Sequence, residues 1–248
     1  MRTIAFYLYF FGYLLYSIPV LNKAKKYSNE QETVEEQDVK KHILPKKWAS
    51  TLVKISGTEV FVKGEENIPA GSVLLVSNHE GNFDIPVLLG HIKKPFGFIS
   101  KIEVKKIPVV WKWMDVMNCV FMDRKDRRQS IKAIREGIAI MKAGHSIAVF
   151  PEGTRSKGGP VGEFKAGSLR LATDAKSPIV PIAIDGTSTI MEKNKGWIKP
   201  GKVTISILPA ITHEQYEQME SKELTQHIQN IITEEKQKLT AEKNQLSA

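Results

Sequence analysis

The sequence contains a single cysteine, Cys119, so the chain can form no internal disulfide. One cysteine in 248 residues is typical of a reducing, cytosol-facing compartment, and without a cluster of cysteine and histidine a structural zinc site is not expected. Acidic residues are also in the minority, because 36 Lys and Arg against 27 Asp and Glu give a net charge of +9. The expected partner is therefore anionic: a nucleic acid, a phospholipid surface or a phosphorylated substrate.

Long apolar runs are scarce, and the exception is residues 3–21, which carry no charged side chain. This length is close to the minimum for a membrane-spanning helix, and Pro19 is expected to end the helix early. Four of the six tyrosines lie here, and tyrosine favours the headgroup region of a bilayer. A single span and insertion into one leaflet both remain open. A signal peptide is disfavoured because no Ala-x-Ala cleavage site follows, and a buried core helix because apolar residues run all round the helix.

Two polar segments separate this run from the rest of the chain. Residues 23–41 are rich in Asn, Gln, Glu and Lys, which predicts a solvated connector or a polar helix. Residues 43–55 combine Trp48 with lysines, a pattern typical of an amphipathic helix on a membrane surface. Packing of Trp48 into the core explains the same residue equally well.

From residue 57 onward, short β-branched runs alternate with helical patterns. The predicted strands are residues 58–63, 72–77, 95–100, 119–122, 146–150, 179–184 and 203–208. The predicted helices are residues 86–91, 105–117, 127–143 and 166–175, with a surface helix that frays into a tail at 213–246. The pattern predicts one α/β domain with a central mixed, largely parallel sheet of about seven strands flanked by helices.

We therefore divide the chain into three regions. Residues 1–56 form an N-terminal membrane-anchoring helical region, residues 57–212 the α/β domain, and residues 213–248 a C-terminal charged helix and tail. Chemistry in such a domain is expected where strands end and loops begin.

The first candidate site follows the strand predicted at 72–77. His79 and Asp84 are five residues apart, and a tight turn through Gly81 and Asn82 can fold the carboxylate back onto the imidazole. Such a pair supplies a general base and the group that orients it. The competing interpretation is that Asp84 caps the helix that begins near Pro86 and that His79 is an ordinary loop residue.

The second candidate site follows the strand predicted at 146–150. Its turn presents a carboxylate, a flexible backbone position, a hydroxyl and a guanidinium together, from Glu152, Gly153, Thr154 and Arg155. Arginine suits bidentate recognition of a phosphate, and the hydroxyl adds a donor. These residues predict an anion site at the end of the strand.

Two further basic residues also lie at strand or helix ends. Lys165 precedes the helix predicted at 166–175, and a helix N-terminus beside a lysine suits an anion. Arg124 follows the strand predicted at 119–122. These basic residues lack the interleaved aromatic side chains of a nucleic-acid surface, so nucleic acid is excluded as the partner.

Four blocks, taken together, resemble the 1-acylglycerol-3-phosphate acyltransferases and their relatives in the wider glycerolipid acyltransferase group. In chain order they are Asn-His-x-x-x-x-Asp at 78–84, Phe-x-x-Arg at 121–124, Phe-Pro-Glu-Gly-Thr-Arg-Ser at 150–156 and Val-Pro-Ile at 180–182. The resemblance covers about residues 60–210. It implies a fold like that of glycerol-3-phosphate acyltransferase, with residues 57–212 as the catalytic domain.

The resemblance also implies residue roles. His79 is the expected general base and Asp84 its partner. The acceptor's phosphate is expected to be contacted, or its site shaped, by Lys101, Arg124, Glu152, Gly153 and Arg155. A role in holding the acyl donor is implied for Val180, Pro181 and Ile182. Cys119 lies inside a predicted strand and is interpreted as core, and the remaining histidines are interpreted as solvated or turn residues: His42, His91, His145, His213 and His227.

The implied reaction is acyl transfer from acyl-CoA or acyl carrier protein to the sn-2 hydroxyl of lysophosphatidic acid, which yields phosphatidic acid for phospholipid biosynthesis. No cofactor or metal is expected. The expected location is the cell membrane, in contact with its lipids and with the active site facing the cytoplasm. Acylation of another lyso-lipid or of glycerol 3-phosphate is the alternative reaction, and a non-catalytic membrane-binding protein is the alternative class.

Overall fold

The structure is a computed structural model that describes residues 1–245, apart from the side chain of Asn244. Within these residues seven strands form one sheet: β1 (Glu59–Lys63), β2 (Leu74–Ser77), β3 (Gly97–Lys101), β4 (Val120–Met122), β5 (Ile147–Val149), β6 (Ile179–Asp185) and β7 (Lys202–Ile207). The α-helices are α1 (Arg2–Tyr16), α2 (Ile18–Lys25), α3 (Val34–Ser56), α4 (Asp84–His91), α5 (Val110–Val116), α6 (Arg127–Lys142), α7 (Arg170–Thr173), α8 (His213–Tyr216) and α9 (Ser221–Gln245).

The sheet has the strand order β1-β7-β6-β2-β5-β3-β4. Neighbouring strands are parallel except β6 and β7, so β1 and β7 run opposite to the other five. β2 and β6 are buried along their whole length, as expected for central strands covered on both faces. The predicted mixed, largely parallel sheet is confirmed, and each predicted strand lies within two residues of an observed one.

Helices cover both faces of the sheet. On one face α3 and α4 pack over a core that includes Leu52, Leu75, Val87 and Ile182, and Phe6 of α1 joins it. On the other face α6, α7 and α9 pack over a second core that includes Leu74, Ile138, Leu171 and Ile228. The carboxyl edge of the five parallel strands is left open between these two layers.

The N-terminal apolar run folds as two helices rather than one. α1 ends at Tyr16, α2 begins at Ile18, and the two axes differ by 50°. The first helix thus ends early, just before Pro19 as expected, and Pro19 lies in the first turn of α2, where its missing N–H has no helical partner to lose. In the described chain neither helix alone has the length and apolar character of a membrane span, although the bent pair meets that test by length and composition.

Trp48 lies at the junction of the N-terminal helices and the domain. Its ring packs edge-on against Phe10 of α1, with ring centroids 5.0 Å apart, and it contacts the first core. The structure thus favours the packing explanation for Trp48. The polar segment before it is helical from Val34 onward, because Thr33 and Glu36 form a capping box at the start of α3.

Three predicted helices differ from the observed ones. The helix predicted at 105–117 is reduced to α5, because Pro108 and the positive φ of Val109 interrupt it. The helix predicted at 166–175 is a 3-10 turn at Ala166–Ser168 followed by the four-residue α7. The long C-terminal helix starts only at Ser221 and packs one face on the sheet, and the predicted tail at residues 246–248 lies outside the described residues. The division into three regions stays a prediction.

Candidate active site

The candidate residues meet at the carboxyl edge of the sheet because five parallel strands end there. Asn78 starts the loop after β2 by exchanging two hydrogen bonds with the backbone of Ile184 in β6: its amide donates to the carbonyl at 2.9 Å and its carbonyl accepts from the N–H at 2.8 Å. This side chain prolongs the pairing of the two strands beyond β2. The residues that follow are consequently held rigidly at the edge.

The loop brings His79 and Asp84 into direct contact. The Nδ1 of His79 lies 2.5 Å from the Oδ2 of Asp84, which is buried with no exposed surface. The same oxygen accepts the backbone N–H groups of Glu80 at 2.7 Å and Gly81 at 3.0 Å. Its other oxygen accepts the hydroxyl of Thr187, which follows β6. Four donors therefore fix the position and orientation of the carboxylate.

The capping interpretation of Asp84 is wrong. The residue before α4 is Phe83, which makes no side-chain cap, and Asp84 is the first residue within the helix. Its carboxylate accepts from the preceding loop rather than from the first turn of α4. The turn through Gly81 folds the carboxylate back to the imidazole, as the spacing predicts.

The imidazole of His79 has one nitrogen committed and one available. With Nδ1–H donated to Asp84, Nε2 carries the lone pair that can accept a proton. The ring stacks on Phe150 with a centroid distance of 4.1 Å and an interplanar angle of 15°, and 17% of the side chain is exposed. Ring orientation and tautomer are both constrained, which is the requirement for a general base.

Glu152 braces the loop of His79 from the side of β5. Its Oε1 accepts the backbone N–H of His79 at 2.6 Å and its Oε2 accepts that of Gly162 at 2.8 Å. Burial raises the pKa of Glu152, and these hydrogen bonds oppose that rise. Both carboxylate oxygens accept backbone N–H groups, so Glu152 joins the loop of His79 to the loop after β5.

Arg155 lies at the outer side of the same loop. Its guanidinium donates to the side chain of Asn82 and lies 3.5 Å from the Oε1 of Glu192. That oxygen also accepts the backbone N–H of Asn82 at 2.8 Å. Thr154 beside it is exposed, and Lys101 is exposed at the end of β3. Arg155 therefore lies next to the loop of His79 and faces the carboxylate of Glu192. The sequence does not predict this role of Glu192.

Arg124 and Lys165 border a basic cavity on the α6 side of the sheet edge. Arg124 donates to the carbonyl of Gly153, and the Lys165 ammonium lies against Gly153. The cavity has a volume of about 440 Å³, and Phe150, which stacks on His79, forms part of its wall. Its cations are Arg124, Lys125, Arg127, Arg135, Lys165 and Arg170. The prediction of an α-helix that begins beside Lys165 is wrong, because a short 3-10 turn begins there instead.

An apolar cavity of about 370 Å³ lies on the other side of the sheet edge. It begins beside Asn82 in the loop of His79 and runs between α1, α3, α4 and α5. Its wall includes Phe10, Trp48, Phe83, Phe98, Met114 and Met191. A straight hydrocarbon chain suits such a lining.

The three residues of the Val-Pro-Ile block do not reach the open edge. Val180, Pro181 and Ile182 lie inside β6 with buried side chains, between β2 and β7. Any influence on a donor acts through the packing of the sheet, and the donor-holding role stays a prediction. Cys119 is buried as expected, and burial raises the pKa of its thiol to about 12.

The interpretation of the remaining histidines is wrong for His42, and His145, which does lie at the turn before β5, contacts a carboxylate that the sequence does not predict. His42 is buried in α3 between the carbonyls of Asp38 and Phe96, and burial lowers its pKa. The Nδ1 of His145 lies 2.6 Å from the Oδ2 of Asp38. No sequence spacing links these residues, because they come from α3 and from the turn before β5. Among the described residues no group of three or more His, Cys, Asp or Glu is placed to hold a metal ion.

Several known proteins are similar to this chain in sequence. Residues 59–185 match the family model described as Acyltransferase. The chain is 36% identical over 192 residues to the probable 1-acyl-sn-glycerol-3-phosphate acyltransferase of Mycoplasma genitalium, covering 73% of this chain and 71% of that one. It is 31% identical over 179 residues to the 1-acyl-sn-glycerol-3-phosphate acyltransferase of Borreliella burgdorferi, covering 72% of each.

A solved structure extends the similarity to nearly the whole chain. The crystal structure of the 1-acyl-sn-glycerophosphate (LPA) acyltransferase PlsC from Thermotoga maritima superposes with a TM-score of 0.81 at 29% identity. The match covers 97% of this chain and 98% of that one, so the N-terminal helices and α9 are included along with the sheet.

Proposed function

The chain belongs to the acyltransferase family and is an enzyme of the 1-acyl-sn-glycerol-3-phosphate acyltransferase kind, and from this premise we propose its reaction. It transfers an acyl group from acyl-CoA or acyl carrier protein to the sn-2 hydroxyl of lysophosphatidic acid, and the product is phosphatidic acid. The observation that carries the proposal is the buried, fully hydrogen-bonded Asp84 held 2.5 Å from the Nδ1 of His79.

The proposed catalytic step uses the free nitrogen of His79. Nε2 removes the proton of the acceptor hydroxyl as its oxygen attacks the thioester carbonyl, and Asp84 stabilises the resulting imidazolium. The tetrahedral intermediate then expels the thiolate, which takes the proton from Nε2. A C–O bond forms, a C–S bond breaks, and the enzyme returns to its starting protonation state without an acyl-enzyme.

The acceptor's phosphate is proposed to bind among the basic residues beside this pair. Arg155, Arg124 and Lys165 approach the loops of His79 and Gly153 from the outside. A phosphate bound there would place a hydroxyl a few bonds away at the imidazole, which is catalysis by proximity. Glu152 and Gly153 support the proposal by shaping the loop rather than by contact.

The acyl chain is proposed to occupy the apolar cavity. This cavity begins at Asn82, next to the base, and its wall is formed by aromatic and methionine side chains. The wall includes residues of α1, so the membrane-facing helices and the catalytic loop would share one hydrophobic chamber.

The membrane contact is proposed to involve one leaflet. α1 packs one face on α3 and leaves a row of apolar side chains exposed: Ile4, Leu8, Phe11 and Leu15. Its 15 residues extend about 22 Å at 1.5 Å per residue, which is shorter than the hydrocarbon core of a bilayer. The lysines of α2 suit anionic headgroups, and a cytoplasmic orientation of the site accords with the single cysteine.

The test is a matrix of acceptors and donors with the purified full-length chain in lipid vesicles. Lysophosphatidate, lysophosphatidylcholine and glycerol 3-phosphate are each combined with acyl-CoA and with acyl carrier protein, and thiol release and lipid product are followed together. We expect lysophosphatidate to be the preferred acceptor and phosphatidate to form in step with the thiol. A preference for another acceptor would contradict lysophosphatidate as the substrate. Vesicle binding without thiol release would contradict the enzyme activity and favour a membrane-binding protein.

A further inference from the structure

A buried carboxylate lies directly behind Asp84. Glu80 has 2% of its surface exposed, and its backbone N–H donates to the Oδ2 of Asp84 at 2.7 Å. Its side chain points the other way, where Oε2 accepts the N–H groups of Gly186 at 2.9 Å and Ser188 at 3.3 Å. Its Oε1 lies 2.8 Å from the Nζ of Lys236 in α9. One residue thus connects the catalytic carboxylate to the C-terminal helix.

The hydroxyl of Thr187 lies between the two buried carboxylates. It is 3.2 Å from the Oε2 of Glu80 and also contacts the Oδ1 of Asp84. A hydroxyl has one hydrogen to donate, so it serves one carboxylate at a time. Two negatively charged carboxylates this close repel each other unless a cation offsets the charge. Lys236 supplies that cation to Glu80 and leaves the hydroxyl to Asp84.

Lys236 is held in place from both sides. Its side chain is 10% exposed, and its Nζ also donates to the carbonyl of Gly159 at 3.2 Å, in the loop that follows β5. The helix that carries it is anchored on the sheet by four buried apolar side chains, Leu224, Ile228, Ile232 and Leu239. A buried ammonium is stable only when it is paired. The two contacts of Lys236 therefore hold the loop after β2, at Glu80, and the loop after β5, at Gly159, against α9.

We propose that Lys236 is a positioning residue for the His79–Asp84 pair and acts through the buried carboxylate of Glu80. The inference rests on the proposed acyl transfer at His79. Lys236 holds the side chain of Glu80 in place, so that the backbone of Glu80 and the hydroxyl of Thr187 both remain directed at Asp84. The orientation of the imidazole then depends on a residue outside the segment matched by the family model.

The test compares three variants with the wild type. Lys236→Met removes the charge, and Glu80→Gln/Lys236→Met removes both charges while retaining an acceptor for the N–H groups. Lys238→Met is the matched control, because this lysine lies on the same helix, is 69% exposed and is 3.9 Å from its partner Glu235. Each protein is assayed for kcat and KM by thiol release and for thermal unfolding.

We expect Lys236→Met to lower kcat on the order of 10- to 100-fold, because a small displacement of a catalytic group has an effect of that size. The acceptor KM should change by less than about twofold, since the binding residues are untouched. The double variant should recover most of kcat, and Lys238→Met should match the wild type. Wild-type kcat in Lys236→Met, or an equal loss in both Lys236 variants, would overturn the proposal.

If Lys236→Met does not fold, the double variant decides the matter. A folded double variant with most of the wild-type kcat supports the charge pair, and an inactive or unfolded one contradicts it.

A second readout separates this proposal from the proposed function. The Nδ1 proton of His79, in a short hydrogen bond to Asp84, should give a downfield NMR signal that disappears in His79→Ala. We expect the signal to be lost or shifted upfield in Lys236→Met and retained in Lys238→Met and in the double variant. An unchanged signal in Lys236→Met overturns the positioning role. A wild type that retains the signal but releases no thiol refutes the acyl transfer alone.

Discussion

Within residues 1–245, two histidine–aspartate pairs of nearly identical geometry lie at opposite ends of the sheet. At the carboxyl edge, Nδ1 of His79 is 2.5 Å from Asp84, and at the other edge Nδ1 of His145 is 2.6 Å from Asp38. Both carboxylates are buried, and both imidazoles retain a little exposed surface. The distance between the two groups therefore does not distinguish a catalytic pair from a structural one.

The surroundings distinguish them. The Asp84 carboxylate accepts two backbone N–H groups and a hydroxyl in addition to His79, whereas one oxygen of Asp38 has no partner among the described residues. His79 stacks on Phe150, which borders the basic cavity, and the apolar cavity begins in its loop. His79 itself lines neither cavity, but its loop neighbour Asn82 and its stacking partner Phe150 do, and His145 and Asp38 line neither. The proposed general base thus differs from the other histidine in the hydrogen-bonded support of its carboxylate and in the cavities beside it.

The largest expected effect comes from neutralising each aspartate in turn. Asp84→Asn should lower kcat by about 100- to 10,000-fold, the range for loss of general-base catalysis, because the imidazole loses its orienting acceptor. Asp38→Asn should leave kcat unchanged within about twofold and change only stability, by about 1–3 kcal/mol for a buried hydrogen-bonded group. Thiol release and thermal unfolding measure both. A comparable loss of kcat in the two variants would erase the distinction.

The cations near His79 provide the next test, because the pair at the other edge has no proposed substrate beside it. Arg155→Gln should raise the acceptor KM by roughly tenfold or more, the value of one charge-assisted contact to a phosphate. Arg128→Gln is the control, since Arg128 is exposed in the first turn of α6, whereas Arg155 contacts Asn82 in the loop of His79. The assay is an acceptor titration at saturating donor. An unchanged KM in Arg155→Gln would place the phosphate elsewhere.

The two ends of the molecule should also differ in their contact with lipid. Leu8 is 70% exposed on α1, near the apolar cavity, and Val39 is exposed beside Asp38. Leu8→Glu should weaken vesicle binding by roughly tenfold, because burial of a leucine stabilises by about 1.5–3 kcal/mol. Val39→Glu should bind vesicles like the wild type. Co-sedimentation with vesicles measures both, and equal binding by the two variants would refute the proposed membrane face.

The smallest effect is expected at the single cysteine. Cys119 follows Asn118, and the side chain of Asn118 contacts His145. The cysteine therefore lies near the His145–Asp38 pair rather than near His79. Because burial raises the pKa of the thiol to about 12, the reactive thiolate is scarce at neutral pH and becomes abundant only above that value. Cys119→Ala should therefore keep kcat within about twofold, since the thiol is only a core group. A large loss of activity would reopen a thiol mechanism.

The sequence predicts the elements of the site that are local and misses those that tertiary packing supplies. The spacing of His79 and Asp84 and the strand before them are readable, because a turn through glycine fixes their relation. Thr187 and Lys236 are distant in sequence, and nothing in their neighbours marks them as partners of one loop. Likewise the His145–Asp38 pair joins two distant elements.

The helices show the same division. Thr33 and Glu36 have the spacing of a capping box, which marks the start of α3 in the sequence. Composition alone instead suggests a connector. The bend at Ser17 coincides with Pro19 in the first turn of α2, a local signal that apolar content does not contain. Strands were predicted closely because buried parallel strands need continuous β-branched runs, while short helices such as α7 depend on loop geometry.

The most direct test of the central claim substitutes the two histidines side by side. His79→Ala and His145→Ala, both confirmed to be folded and bound to vesicles, are supplied with acyl thioester and lysophosphatidate, and thiol release is followed together with phosphatidate. We predict that His79→Ala loses activity by about 100-fold or more, as expected for removal of a general base, and that His145→Ala retains it. Full activity in His79→Ala, or an equal loss in His145→Ala, would contradict the assignment of the catalytic pair.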